Sequence, residues 1–154
     1  MSNAIDVLQK AMRKAMENRP QVGGFPYLAQ YLKEEGVIRN VWHLPSCQSL
    51  YITRLGSVMV QDTPLVAGTV DVPAFDKAAL IAALRIDQAG QSSFPYFLNA
   101  AWLAGVIRYD VDFDANLVIY YGALGETYRE SYPVVTLPIG KEKLKFRRVA
   151  QTTI

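Results

Sequence analysis

The sequence predicts an α+β fold in which two internally repeated units share one core, each unit a helix, a second helix and an antiparallel meander. Three observations carry that expectation. The segment FPYLAQYLKEEGVIR, starting at Phe25, is echoed by FPYFLNAAWLAGVIR, starting at Phe94. The offset of about 69 residues runs on without a gap, matching Tyr51 to Tyr120, Leu55-Gly56 to Leu124-Gly125, Pro64 to Pro133 and Val66 to Val135. Roughly twelve identities fall in about 42 aligned positions, where unrelated sequences would give roughly two to three. Apolar residues ahead of each segment recur at helical spacing, and those behind it alternate as in half-buried strands.

In chain order, Ile5 to Asn18 carries Ile5, Leu8, Met12 and Met16 on one face of an amphipathic helix. The second helix is expected to start around Pro26, where a first-turn proline costs no intrahelical hydrogen bond, and to stop at Gly36, which can turn left-handed. A strand then puts Ile38, Trp42 and Leu44 on its buried face and Arg39, Val41 and His43 on the other. Strands over Gln48–Thr53 and Ser57–Gln61 follow, joined by a hairpin turn at Leu55-Gly56. Asp62 to Pro73 joins the units, and its Leu65-Val66 suggests a short paired segment.

The second unit repeats the plan. A helix spans Asp76 to Ala89, with Asp76 as N-cap and Gly90 as stop, and another runs from around Pro95 to Gly105. In Val106 to Phe113, residues Ile107, Tyr109, Val111 and Phe113 share one face and Arg108, Asp110 and Asp112 the other; strands over Leu117–Tyr121 and Glu126–Tyr132 complete the meander. Each unit alone has about 65 residues, near the lower limit for an independent core. The two are therefore expected to pack about a pseudo-twofold axis, as one continuous sheet with helices on one face. This places a single domain at residues 1–140, with units over about 5–66 and 74–135, and a basic C-terminal tail or edge strand at 141–154.

Of the 154 residues, 51% are hydrophobic and 19% charged, which excludes a disordered or fibrous chain. The single Cys cannot close an intrachain disulfide, and one Cys with one His cannot build a Cys₂His₂ zinc site, so a reducing, cytoplasmic setting is expected. No run approaches the ~20 consecutive apolar residues of a membrane span, and no membrane partner is expected. The formal net charge of +2 is uneven. Lys141, Lys143, Lys145, Arg147 and Arg148 stand against Glu142, leaving the tail at about +4 and the body at about −2. The body has no basic stripe interleaved with stacking aromatics, so nucleic-acid binding is disfavoured except through that tail. Leu144 and Phe146 alternating with lysines fit an edge strand equally well. Deleting 141–154 is expected to leave the fold intact, because the repeat closes before it.

Three groups of residues invite a chemical reading. His43 and Cys47, in HLPSCQS, are the minimum for a thiol nucleophile with a base. The repeat aligns His43 with Asp112 and Cys47 with Asn116, so Cys47, His43 and Asp112 would form a thiol-hydrolase set if the two loops met across the axis. The plainer reading is a turn Cys packing as a small apolar residue and a strand His facing water. Asp110, Asp112 and Asp114 do not make an EF-hand loop, because Ala115 and Tyr121 stand where Gly and Glu are needed. No metal site and no cofactor is expected. Arg108, Tyr120, Tyr128 and Arg129 are candidates for a binding surface, since Tyr and Arg recur at interface hot spots; strand propensity accounts for the tyrosines as well.

The segments FPYLAQYLKEEGV, LPSCQSLY, TPLVAGTVDVPAF and FPYFLNAAWLAGVIRYDVDF, with YYGALGETYRESYP, resemble a small enterobacterial prophage-associated family typified by proteins called YbcV and YdfO. That family is of unknown function and often carries the label "phage envelope protein". The resemblance covers about residues 5–138 and implies a compact α+β fold and a phage or prophage setting, with no catalytic residues to carry over. The expected function is a non-enzymatic interaction or ligand-binding module for an unidentified protein or small molecule, with a homo-oligomer left open. The alternative is a small thiol-dependent enzyme using Cys47 with His43.

Overall fold

Ser2 opens the first helix by accepting the Ile5 N–H on its Oγ at 3.2 Å, and α1 spans Asn3–Glu17. The face it buries is Ala4, Leu8, Ala11 and Ala15, a step round from the expected stripe. Three alanines let the helix axis come close to its neighbours, whereas Ile5 and Met12 pack only at the rim and Met16 is 69% exposed. The helix α2 (Gly24–Glu34) packs back against α1. In the other half, α3 (Lys77–Gln88) begins at Asp76, whose side chain accepts the Ala79 N–H at 3.0 Å, and α4 (Phe94–Leu103) begins at Ser93, which accepts the Tyr96 N–H at 3.3 Å. Gly36 and Gly105 follow α2 and α4 at φ of 92° and 86°, the left-handed region expected of them. At Gly105 a side chain is also excluded by contact: a Cβ there would lie 2.5 Å from the Ala74 carbonyl oxygen.

The computed structural model describes residues 2–138; the basic segment 141–154, read as a tail or edge strand, lies outside them. Six strands, β1 (Val37–His43), β2 (Gln48–Thr53), β3 (Gly56–Gln61), β4 (Val106–Asp112), β5 (Leu117–Gly122) and β6 (Thr127–Ser131), form one antiparallel sheet in the order β3-β2-β1-β4-β5-β6. The order of elements is therefore α-α-β-β-β twice, with the two meanders joined through β1 and β4. That junction is centred on Val41 opposite Asp110, two positions the repeat aligns with each other. The antiparallel register sets Arg39 opposite Asp112 and His43 opposite Arg108.

Two departures from the expected pattern have local causes. The register of β1 against β2 shifts between Val37 and Arg39, so Val37 is buried and Ile38 turns outward, 37% exposed. The same shift recurs in β4 between Val106 and Arg108, leaving Val106 buried and Ile107 only partly so. The hairpins also differ. Thr53 pairs with Gly56 across a two-residue loop, whereas the Gly122 N–H donates to the Glu126 carbonyl at 2.8 Å across three residues. Gln48 consequently faces Gln61 while its counterpart Leu117 faces Ser131, so the gapless alignment slips by one residue after the turn.

Residues 62–76 form no strand, which corrects the paired segment expected at Leu65-Val66. The Leu65 N–H instead donates to the Pro45 carbonyl at 2.8 Å, pinning this connection against the β1–β2 turn. Helices cover one face of the sheet, over Trp42, Tyr51, Tyr109, Val111 and Tyr120. Arg39, Val41, Arg108 and Asp110 occupy the other, more open face. Among the described residues no helix is long and apolar enough to cross a membrane.

Candidate functional site

The β1–β2 turn, Leu44 to Cys47, and the β4–β5 turn, Phe113 to Asn116, end alike, although the first contains a cis peptide at Leu44-Pro45 and the second has none. Cys47 sits at φ 56° and Asn116 at φ 52°, both left-handed. The carbonyl of each accepts one N–H from the strand end beyond the meander: Asp62 donates to Cys47 at 3.0 Å, and Tyr132 donates to Asn116 at 3.0 Å. Asp62 and Tyr132 are thus structural counterparts, related by the one-residue slip. A polar side chain in one half replaces an aromatic one in the other.

The consequence is visible in packing. Tyr132 sets its ring edge-on to Phe25, centroids 5.1 Å apart at 82°, and burial pushes its hydroxyl up to about 12, with the charge of Asp112 adding to the shift. Phe94 is the counterpart of Phe25, and it stands edge-on to Trp42 at 5.1 Å and 90°. Beside Phe94, where the first half has no ring to match Tyr132, lies a cavity of about 260 Å³. Trp42, Phe94, Leu98 and Leu65 give it apolar walls, and Cys47 and Asp62 also line it. Trp42 is only 6% exposed, its ring lies parallel to that of Tyr109 at 6.2 Å, and its indole N–H has no hydrogen-bond partner among the described residues. A wider depression of about 460 Å³ lies on the open face around Arg39, Asp112 and Asp114, lined largely by solvent-exposed groups.

Cys47 is buried on the helix side, 3% exposed, whereas His43 follows Trp42 along β1 and turns to the open face. The two share only a backbone hydrogen bond, Cys47 N–H to the His43 carbonyl at 3.0 Å. Burial pushes the Cys47 thiol up, Asp62 adds to that by its charge, and a hydrogen bond from the Leu65 amide offsets part of it. Asp112 is paired with Arg39, four positions along β1 from His43, or roughly 13 Å at strand spacing. Its Oδ1 accepts the N–H groups of Asp114 and Ala115, both at 3.1 Å, and so shapes its own turn. The structure does not bring Cys47, His43 and Asp112 together: antiparallel pairing about Val41 and Asp110 sends the two equivalent turns to opposite ends of the junction.

The four binding candidates are divided between faces. Tyr120 is buried under the helices and Tyr128 is half-buried beside it, their rings stacked at 6.2 Å. Tyr128 donates to Glu130 Oε2 at 2.9 Å. Arg108 and Arg129 lie on the open face, where the Arg108 guanidinium sits 4.1 Å from the Tyr121 ring centre and its Nε is 3.2 Å from Asp110 Oδ1. Sequence reasoning did not select Asp62, Phe94 or Trp42 as site residues. The signal was within the repeat itself: once the longer second hairpin is allowed for, Asp62 aligns with Tyr132.

A model of a family described as "Protein of unknown function (DUF1398)" matches residues 13–130. The chain belongs to the DUF1398 family. This match takes in Cys47, Asp62 and Phe94 and ends before Tyr132. Uncharacterized proteins of Mycobacterium bovis and of two strains of Mycobacterium tuberculosis are each 52% identical to it over 135 residues, covering 88% of this chain and 82% of theirs. DUF1398 membership carries no activity with it, so the functional reading rests on the cavity.

Proposed function

We propose that this protein is a non-enzymatic ligand-binding module, built of two duplicated halves of which one has opened a site beside Cys47. The observation that carries the reading is the asymmetry: a cavity of about 260 Å³ lies beside Phe94, and the counterpart place beside Phe25 is taken by the Tyr132 ring. Its walls are mostly apolar with a few polar groups among them, the usual make-up of a small-molecule site. The shared left-handed turns and the matched hydrogen bonds of Asp62 and Tyr132 support the duplication. A prophage setting belongs to this reading only through the resemblance in the two FPY segments.

The competing thiol-enzyme reading has little support from geometry. It needs Cys47 as a thiolate with a base in reach, yet burial and Asp62 favour the neutral thiol and His43 points to the other face. The test of the module is direct. With 4-ethylphenol as a small neutral aromatic probe, the indole N–H resonance of Trp42, assigned with Trp42→Phe, should shift in a saturable way while that of Trp102 stays in place. Absence of any shift at millimolar probe would reject the cavity as a site. Alkylation of Cys47 at neutral pH at the rate of a low-pKa thiolate would restore the enzyme reading.

A further inference from the structure

We infer that the cavity beside Cys47 takes a protonated arylalkylamine, with its aromatic ring against Trp42 and Phe94 and its ammonium on Asp62. The inference rests on the ligand-binding reading above and specifies the ligand class. Its first ground is shape. The other half shows what fits against the equivalent phenylalanine, a single phenol ring, set edge-on to Phe25 at 5.1 Å. An apolar cavity of ~150 Å³ holds a benzene ring. A cavity of about 260 Å³ therefore has room for a ring and a short chain.

The second ground is charge. Asp62 occupies the place of Tyr132, and its carboxylate is an exposed residue at the rim of an otherwise apolar space. Among the described residues it has no ion-pair partner within 4.0 Å. An anionic ligand would meet an uncompensated like charge there, whereas an ammonium would make a charge-assisted hydrogen bond.

Tyramine, 4-ethylphenol and 3-(4-hydroxyphenyl)propionate share the ring and differ in the charge of the side chain, so a titration of the full chain with the three separates shape from charge. Tyramine should bind tightest, 4-ethylphenol roughly ten-fold more weakly, and the propionate should not reach saturation. Asp62→Asn should cost tyramine roughly ten-fold and leave 4-ethylphenol unchanged. Asp62→Tyr should abolish binding of all three, by refilling the cavity as Tyr132 fills its counterpart; the conservative Asp62→Asn decides the matter if the tyrosine variant does not fold. Equal affinity for tyramine and 4-ethylphenol, or a tyramine affinity indifferent to Asp62→Asn, would overturn the amine assignment while leaving the cavity as a site. Failure of all three probes to shift the Trp42 resonance would overturn both.

Discussion

Cys47 holds a backbone conformation that suits its counterpart better than itself. Asn116, at nearly the same φ, belongs to the residue types that enter the left-handed region readily, because a short polar side chain can bond locally. A cysteine there sustains strain of order 1 kcal/mol or more. Its neighbour Asp62 makes the thiol's behaviour testable. Since the aspartate charge raises the Cys47 pKa, Asp62→Asn should lower it and increase the thiolate fraction at any pH below the pKa. Iodoacetamide should then modify the variant several-fold faster than the wild type at pH 8, and an unchanged or slower rate would show that Asp62 does not act on the thiol. A second residue-scale prediction concerns Gly105. Left-handed φ and a Cβ placed 2.5 Å from the Ala74 carbonyl oxygen act together in Gly105→Ala, so a loss of more than about 2 kcal/mol is expected in urea unfolding.

At the scale of elements, β6 is the edge strand among the described residues and is held to α3 by side chains. Arg85 Nη1 and Gln88 Nε2 donate to Glu130 Oε1 at 2.6 and 2.7 Å, and Tyr128 donates to the other carboxylate oxygen at 2.9 Å. Burial alone would raise the Glu130 pKa; the hydrogen bonds from Gln88, Arg85 and Tyr128 and the Arg85 charge outweigh it and hold the carboxyl below its ordinary value. A lowered carboxylate pKa stabilises the fold fully above the unfolded-state pKa, and the contribution is lost as pH falls through the lower, folded-state value. Glu130→Gln should therefore lower Tm by a few degrees at pH 7, with the gap to wild type closing on acidification below the ordinary carboxylate range. A gap that persists at pH 2 would assign the effect to packing. Much at this scale was readable from sequence, because caps and stops are local: Asp76, Gly36 and Gly105 do what their residue types dictate. The buried face of α1 was not, because alanine gives a weak hydrophobic signal although it permits the closest packing. The bulges were not, because a register shift depends on the partner strand.

At the scale of the whole molecule, the two halves exchange contacts. Phe94 of the second half packs on Trp42 of the first, Phe25 of the first packs on Tyr132 of the second, and β1 pairs with β4 through five residue pairs, Arg39 to His43. A core common to both halves was foreseeable from the shortness of each unit, but the candidate site was out of reach. It depends on a one-residue slip in a turn and on which half's helix covers which strand, and neither is encoded at short range. The same exchange has a thermodynamic consequence. A unit of about 65 residues buries too little apolar surface to be securely stable alone, and each half here also exposes an aromatic side chain whose partner lies in the other. Unfolding should accordingly be a single transition, with Trp fluorescence and far-UV circular dichroism giving coincident urea curves. Fragments 2–73 and 74–138 should each lack a cooperative transition and regain one only when mixed. Either fragment melting cooperatively by itself, or two separated transitions in the intact chain, would show two independent domains in contact and would remove the physical basis for a shared core.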